Sequence, residues 1–259
     1  MNQKYSPTTL RGVGRWMLPA VLGAAVLGAA VLGAAVLAGC QDTSEVEPFT
    51  GPEYYPLAVG SYRIYDVADT AWANNKPTVS RFQFREQVDT ELTPDATGQS
   101  VYRLIRSRRP TATDAWRVDS VFTVTVGERA VTEQFNNRRT VALVFPVREG
   151  RVWNINAFNS QDSVTASNRL YSRVGQPFSV QRNGKTYGYD NSLTTTNNLA
   201  VDVNACYTSI RRTTFAKDVG PVYRISRAFT HDPGGGKPCD NTAIYLGQSR
   251  SEVLIESGK

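Results

Sequence analysis

Residues 115–126, AWRVDSVFTVTV, decide the fold class of this chain because their polar and apolar side chains alternate. The large apolar side chains that stand at even-numbered positions are Trp116, Val118, Phe122, Val124 and Val126. An alternation with a period of two predicts a β-strand with one buried face and one face toward water. Residues 81–88, RFQFREQV, and 222–229, VYRISRAF, repeat the pattern, so the prediction extends over much of the chain.

Short polar breaks separate these runs and predict tight turns between antiparallel strands. Gly127-Glu128 and Asn136-Asn137 divide three successive runs. Asn183-Gly184 is the strongest hairpin signal, because both of its residues tolerate a positive φ. We therefore predict a single all-β domain over residues 54–259, in which one antiparallel and strongly curved sheet forms a barrel or half-barrel. A two-sheet β-sandwich is the alternative.

The chain begins with the charge pattern of an exported protein. Residues 1–16 carry three cations and no acid, and residues 17–38 are apolar, which is the order of a secretory signal. The apolar segment is also long enough for a transmembrane helix, but it ends in Leu37-Ala38-Gly39-Cys40. This ending resembles the lipobox of bacterial lipoprotein precursors. The resemblance implies that residues 1–39 are a signal peptide and that Cys40 carries lipid such as palmitate.

Residues 40–53 are polar, acidic and rich in Pro, Gly, Ser and Thr, which predicts a flexible tether between the lipid and the domain. We therefore expect an outer membrane lipoprotein that faces the periplasm or the cell surface. Its contact with the membrane would be made through the lipid on Cys40.

The net charge of the chain falls when the predicted leader is removed. The leader holds three of the 29 Lys and Arg residues and none of the 23 acids, so residues 40–259 carry +3 instead of +6. This small excess gives no reason to expect nucleic acid as a partner. The remaining basic clusters are interpreted as solvated strand and loop residues; they are Arg106, Arg108 and Arg109, and Arg211 and Arg212.

Two cysteines remain after Cys40 is assigned to lipid. Cys206 and Cys239 form an even pair in an oxidising compartment, which predicts a disulfide, with two buried free thiols as the alternative. The only histidine, His231, is interpreted as a solvated loop residue. These residues fall short of the usual four-ligand zinc set, so we expect no metal and no cofactor.

A recurring phrase places an aromatic residue five positions before a glycine. The three pairs are Tyr55 and Gly60, Phe145 and Gly150, and Phe215 and Gly220. We expect each aromatic ring to lie in the core, each glycine to form a turn or bulge, and a new strand to begin after it.

The surrounding segments are YYPLAVGSYRIYDV, FPVREGRVWNINAFN and FAKDVGPVYR. They are similar to segments of uncharacterised lipoproteins from Bacteroidetes bacteria. The resemblance implies an envelope location and a β fold, and it attaches no activity to the chain. This sequence departs from the usual phrase at Arg63, where a tryptophan is common.

The sequence carries no recognisable catalytic constellation. Residues 184–188, GKTYG, have the outline of a nucleophile elbow at Thr186, but the elbow needs a strand, a sharp turn and a helix, and Asn183-Gly184 predicts a hairpin tip. We therefore expect a non-catalytic module that binds a hydrophobic or glycan ligand in its curved sheet. The aromatic residues that follow the repeated glycines are candidates for the wall of the site: Tyr62, Trp153 and Tyr223.

Two other functions remain open. The chain is either a structural or accessory subunit that meets an envelope protein partner in a surface complex, or a hydrolase with an unrecognised carboxylate pair. A pair of carboxylates that flanks a glycosidic bond leaves no local sequence signature.

Overall fold

The computed structural model describes residues 51–159, 165–197, 203–231, 238–239 and 242–259. These residues form one antiparallel sheet of twelve strands that curves into a nearly closed barrel, preceded by a 3-10 helix at Pro52–Tyr54. The prediction of an all-β barrel is confirmed, and the two-sheet alternative is wrong. The strands are β1 (Tyr62–Ala73), β2 (Lys76–Leu92), β3 (Ser100–Arg109), β4 (Arg117–Val126), β5 (Ala130–Phe135), β6 (Arg138–Val144), β7 (Val152–Asn154), β8 (Asn168–Arg182), β9 (Lys185–Asn197), β10 (Tyr207–Ala216), β11 (Gly220–Thr230) and β12 (Leu246–Gly258).

The sheet is a meander in which most neighbouring strands follow one another in the chain. The strand order is β6-β5-β4-β3-β2-β1-β12-β11-β10-β9-β8-β7. The pairing of β1 with β12 joins the first strand to the last in the middle of the sheet. The two edge strands, β6 and β7, are also consecutive in the chain, so they come together without a crossover.

Contacts between β6 and the β7 region nearly complete the barrel. The backbone N–H of Val141 donates to the carbonyl of Ile155 at 2.9 Å. The indole N–H of Trp153 donates to the carbonyl of Val141 at 3.1 Å. The hydroxyl of Tyr171 on β8 donates to the carbonyl of Val144 and accepts its N–H, each at 2.8 Å. Side chains thus satisfy edge groups that would otherwise offer a template for aggregation.

Two of the predicted hairpin turns have the expected backbone conformation. Asn136-Asn137 joins β5 to β6 with φ values of 46° and 59°, and Asn183-Gly184 joins β8 to β9 with values of 52° and 77°. Positive φ at both central residues is the requirement of the tight turns that match strand twist. Asn74-Asn75, which the sequence analysis did not single out, makes the same kind of turn between β1 and β2, with φ values of 50° and 62°.

The recurring phrase has the structure that the sequence predicts. The three glycines have positive φ angles, which are 89° at Gly60, 73° at Gly150 and 97° at Gly220. The three aromatic residues are at most 5 % exposed and lie in one core cluster: Tyr55, Phe145 and Phe215. Strands β1, β7 and β11 begin at or soon after the glycines.

One predicted core position on β4 is not buried. The pairing of β3 with β4 shifts in register between Arg106 and Ser107, so Ser120 is opposite Arg106 while Val118 is opposite Ser107. The extra residue turns Val118 to the outer face, where it is 69 % exposed. A bulge of this kind reverses the alternation on one side of it.

The barrel interior has a packed end and a polar mouth. The buried core that fills the packed end consists of Tyr54, Tyr55, Val88, Leu104, Phe122, Val124, Val131, Val141, Leu143, Phe145, Val147, Trp153, Ile155, Tyr171, Leu193 and Phe215. Tyr55 reaches this core from the segment before β1, with its ring centroid 5.9 Å from that of Phe215. The mouth is the opposite end, where β10 begins and β11 ends.

The far half of the β8–β9 hairpin covers part of the outer face of the barrel. Strand β9 pairs with β10 only through residues 192–196. Beyond that pairing, the ring of Phe178 lies 5.6 Å from that of Tyr223 on β11. Arg182 Nε lies 3.4 Å from Asp66 Oδ2 on β1. This cover explains why β1 is buried on both faces along much of its length.

Candidate ligand-binding cavity

A cavity of about 370 Å³ occupies the barrel between the packed core and the mouth. Its charged lining residues are Arg106, Arg169, Arg211, Arg212, Arg224, Arg250, Glu133 and Glu252. Its hydroxyl-bearing lining residues are Thr140, Thr195, Thr213 and Ser226. Because Arg211 and Ser226 are exposed, the cavity is open to solvent.

The floor of the cavity is the upper layer of the packed core. Phe122, Val141, Ile155 and Phe215 line the cavity and also belong to the core cluster. Side chains in a close-packed interior have little freedom to move, so this floor is a fixed surface.

Strand register places three arginines in one row on the cavity side of the sheet. Arg169 on β8 is opposite Asn197 on β9, and the side-chain oxygen of Asn197 accepts the backbone N–H of Arg211 on β10 at 2.8 Å. Arg211 is opposite Ser226 on β11, which is in turn opposite Arg250 on β12. We call Arg169, Arg211 and Arg250 the arginine row. Its members stand on every second strand and are therefore about 10 Å apart.

A buried ion cluster lies beside the cavity. Arg224 and Glu252, which are opposite each other, stand two residues closer to the packed end than Ser226 and Arg250 do. Arg224 Nη1 lies 3.0 Å from Glu86 Oε1 and 3.0 Å from Glu252 Oε2. Arg106 makes a second ion pair with Glu86, whose side chain is only 1 % exposed. Burial alone would raise the pKa of Glu86, but the guanidinium groups of Arg224 and Arg106 outweigh it and hold that pKa well below its ordinary value.

Arg106 and Arg224 are also held by aromatic rings. Arg106 lies 5.0 Å from the ring centroid of Phe84, and Arg224 lies 4.7 Å from that of Tyr65. The buried Nε of Arg106 has no hydrogen-bond partner among the described residues.

Arg250 of the arginine row is paired with an acid. Its Nη2 lies 2.7 Å from Asp69 Oδ2, and Gln248 donates to both oxygens of the same carboxylate. Arg250 also donates from Nε to the same Asp69 oxygen at 3.1 Å, so the carboxylate holds this guanidinium group in place.

Arg211 and Arg212 have no charge partner among the residues that the structure describes. Within the described ranges, the guanidinium group of neither residue makes a hydrogen bond or an ion pair. Both residues are exposed, but only the side chain of Arg211 lies on the cavity face, because Arg212 is the next residue of β10 and its side chain points to the outer face. The cavity therefore carries positive charge that the described acids do not balance.

Tyr55 connects the packed end to the cavity wall. Its hydroxyl donates to Glu133 Oε1 at 2.6 Å, and Glu133 lines the cavity. Burial first, and the nearby Glu133 carboxylate second, raise the pKa of Tyr55 well above its ordinary value. The phenol therefore remains protonated and donates to the carboxylate across the physiological pH range.

The three aromatic residues predicted to line a site lie in different places. Tyr62 donates its hydroxyl to Glu256 at 2.9 Å on the surface. Trp153 is 8 % exposed and lies where β7 contacts β6 and nearly closes the barrel. Tyr223 packs against Phe178 on the outer face. The structure does not bring the three together, and none of them lines the cavity described above; a ligand contact at these residues stays a prediction.

The remaining candidate residues are placed as follows. Cys40 lies outside the described residues. Cys206 and Cys239 are joined by a disulfide, with their Cα atoms 5.0 Å apart. The interpretation of His231 as a solvated residue is wrong, since it is 4 % exposed. Its ring nitrogens lie 3.0 Å from the Thr208 hydroxyl and 2.7 Å from the carbonyl oxygen of Ala243.

Sequence reasoning missed the cavity, because it interpreted Arg106 and Arg211 as solvated and did not single out Arg169, Arg224 or Arg250. Arg106 is instead buried in an ion pair, and Arg211 belongs to the arginine row. A signal was present in RFQFREQV, where Glu86 stands on the same face of the strand as Phe82, Phe84 and Val88. A charged residue on an apolar strand face predicts a buried partner of opposite charge.

The described residues contain no group of three or more side chains placed to hold a metal ion. They also contain no helix with the length and apolarity to cross a membrane.

The fold and the cavity together define a twelve-stranded β-barrel with a basic internal site. No protein-family model and no curated protein matches the chain. Among solved structures, the chain is similar to one described as a "putative lipoprotein from Parabacteroides distasonis", with 11% sequence identity and a TM-score of 0.31. The match covers 79% of this chain and 98% of that chain. A TM-score this low establishes neither a shared fold nor a shared function.

Proposed function

We propose that this protein is a membrane-anchored envelope lipoprotein whose barrel binds a ligand without transforming it. The observation that carries the binding role is the cavity of about 370 Å³, with its packed floor and its charged, hydroxyl-bearing wall. Its volume falls within the range of about 300 to 1,000 Å³ that is typical of small-molecule sites. Its wall is built on hydrogen-bonded strands, so the site exists before a ligand enters.

The anchoring part of the proposal is supported by the sequence. A basic and then apolar leader ends in Leu37-Ala38-Gly39-Cys40, and lipid on Cys40 would hold the domain at the outer membrane. Two or three acyl chains are needed for a durable anchor, because a single chain binds only marginally. An anchored domain meets its ligand repeatedly in a small volume, so a modest affinity is sufficient.

The carboxylates near the cavity support binding over hydrolysis. Glu252 is paired with Arg224, and the guanidinium groups of Arg224 and Arg106 hold the pKa of Glu86 well below its ordinary value. A carboxylate whose pKa is held low is a poor general acid and a weak base at neutral pH. Glu133 accepts the hydroxyl of Tyr55, so this third cavity carboxylate also has a structural partner.

The anchor is tested by replacing Cys40 with serine. We expect the wild-type precursor to be cleaved and to incorporate an alkyne-tagged fatty acid, whereas Cys40→Ser should remain uncleaved and unlabelled. Cys206→Ser is the matched control because it removes a different thiol, and it should keep the label. Equal labelling of Cys40→Ser and the wild type would reject the anchor.

The binding role is tested by native mass spectrometry on a chain that begins at residue 41. All twelve strands lie between Tyr62 and Gly258, so this chain keeps the whole barrel. We expect a mass increase with at least one member of a panel of fatty acids, neutral saccharides, acidic saccharides and sugar esters, and no product in the released ligand. Turnover that persists after repurification and disappears in Glu133→Gln would favour the hydrolase. Binding of no panel member would favour an accessory subunit.

A further inference from the structure

We infer that the ligand of the barrel is an anionic saccharide, bound by the arginine row together with hydroxyl groups of the cavity wall. This inference rests on the proposed binding role and names the chemical class of the ligand. It concerns Arg169, Arg211 and Arg250, which the sequence analysis did not assign to any site.

The first support is the charge of the cavity. Five arginines have their side chains on the cavity face, against two glutamates. Glu86 and Asp69 pair with Arg106 and Arg250 but do not line the cavity. When these two acids are added to the two glutamates, the arginines still outnumber the acids. A concave site with one sign of charge concentrates ligands of the opposite charge.

The second support is the free guanidinium group of Arg211. The side chain of Arg211 lies on the same face of the sheet as those of Ser226 and Arg250. Its guanidinium group makes no hydrogen bond or ion pair with any described residue. Guanidinium presents a planar set of donors that matches a carboxylate or sulfate group with two parallel hydrogen bonds. Arg211 is therefore placed to receive an anionic group at the open side of the cavity.

The third support is a neutral hydroxyl group between two arginines of the row. Ser226 stands between Arg211 and Arg250 and lines the cavity, whereas the buried amide of Asn197, between Arg169 and Arg211, is bonded to the backbone of Ser209 and Arg211. A ligand that contacts neighbouring arginines must carry anionic groups about two strand spacings apart, roughly 10 Å. Between them it must offer groups that hydrogen-bond to small polar side chains. A saccharide with carboxylate or sulfate substituents has both properties.

The floor of the cavity argues against a fatty acid as the ligand. A fatty acid needs one charged contact and a long apolar channel for its chain. Phe122, Ile155 and Phe215 fill the space below the charged wall and belong to the packed core. The buried Nε of Arg106, which lacks an acceptor among the described residues, adds a polar group at this level.

The inference is tested by isothermal titration calorimetry on the chain that begins at residue 41. The probes are a sulfated uronate-containing disaccharide, a galacturonate disaccharide, neutral maltose and a medium-chain fatty acid. We expect at least one acidic disaccharide to bind about tenfold or more tightly than maltose, since hydrogen bonds to charged groups contribute more than those to neutral groups.

Arg211→Gln is the test variant, and Arg227→Gln is its charge-matched control. Arg227 is exposed on β11 one position from Ser226, so its side chain points to the opposite face of the sheet. Arg211→Gln should weaken binding of the acidic disaccharide by about tenfold. Arg227→Gln should leave the affinity within about twofold, because a surface charge outside the site contributes little.

Each outcome bears on one of the two proposals. If wild type binds maltose or the fatty acid as tightly as the acidic sugars, the anionic inference is overturned while the binding role stands. If Arg211→Gln and Arg227→Gln weaken binding equally, the attraction is a general charge effect and the assigned site is wrong. If no probe binds, the binding role itself is rejected. Circular dichroism of both variants establishes that each remains folded.

Discussion

Arg224 on β11 and Glu86 on β2 form an ion pair at 3.0 Å across the inner surface of the barrel. Strands β12 and β1 lie between β11 and β2 in the sheet, so the pair connects strands that are not neighbours. This contact is possible because the sheet is strongly curved, and it contributes to holding that curvature. It also explains how two arginines are accommodated beside the cavity without unpaired buried charge.

Replacing Glu86 with glutamine should destabilise the barrel by about 3 to 5 kcal/mol, because it leaves Arg106 and Arg224 short of a buried counter-charge. The measurement is the free energy of unfolding from urea denaturation. Asp89→Asn is the matched control, since Asp89 pairs with Arg103 at the surface, where the side chains are 31% and 47% exposed. An exposed pair contributes about 0 to 1 kcal/mol. Equal losses in the two variants would contradict the structural role of the buried cluster.

The stability of the barrel should fall in acid because of the same carboxylate. Arg224 and Arg106 outweigh burial and hold the pKa of Glu86 below its ordinary value of 4.5. The unfolded chain therefore binds a proton at a higher pH than the folded chain does, so the contribution of Glu86 is complete above about pH 4.5 and decreases as pH falls toward the folded pKa. Urea midpoints measured between pH 7 and pH 3 should decrease most below pH 4.5 in wild type. A decrease of the same size in Glu86→Gln would assign the effect to other acids.

The disulfide between Cys206 and Cys239 should stabilise the end of the sheet that carries the mouth. It closes a loop with a sequence separation of 33 residues, for which the chain-entropy model gives about 3 to 4 kcal/mol. Reduction of wild type should lower the free energy of unfolding by this amount. Reductant should not change the Cys206→Ser/Cys239→Ser variant, and peptide mapping without reductant should recover the linked pair. Two alkylatable thiols in the isolated protein would contradict the pairing.

Gly220 should tolerate alanine poorly. Its φ angle is 97°, and an added Cβ would lie 2.7 Å from the guanidinium of Arg63, which donates from Nε to the carbonyl of Val219 at 2.8 Å. We expect Gly220→Ala to cost about 1 to 3 kcal/mol, since a side chain in this backbone region is strained. Gly188→Ala is the control because no atom lies within 4 Å of its added Cβ, and thermal denaturation compares the two. A smaller loss for Gly220→Ala than for Gly188→Ala would contradict the account of the recurring phrase.

The fold class was predictable because it depends on local patterns. The alternation of residues 115–126 predicts a strand, and Asn183-Gly184 predicts the hairpin that the structure contains. The aromatic and glycine phrase predicts the burial of Tyr55, Phe145 and Phe215. These signals need no knowledge of which strands are neighbours.

The cavity was not predictable because it depends on the register in which each strand pairs with its neighbours. Arg211 joins Arg250 in one row only through the pairing of β10, β11 and β12. The exposure of Val118 has a similar origin, since a bulge against β3 turns it outward. The cross-strand neighbours of each arginine thus decide whether it is buried or exposed, and a single sequence does not reveal those neighbours.

The central claim is that an anionic ligand binds inside the barrel at the arginine row, and NMR of the arginine side chains tests it most directly. The Nε–Hε signals of the chain that begins at residue 41 would be assigned and followed during titration with the acidic disaccharide that binds most tightly. The account predicts saturable shifts at Arg211 and Arg250 of the row, with Arg227 on the outer face unchanged. Shifts confined to Arg227 and other outer-face arginines, with those of Arg211 and Arg250 unchanged at saturation, would contradict it.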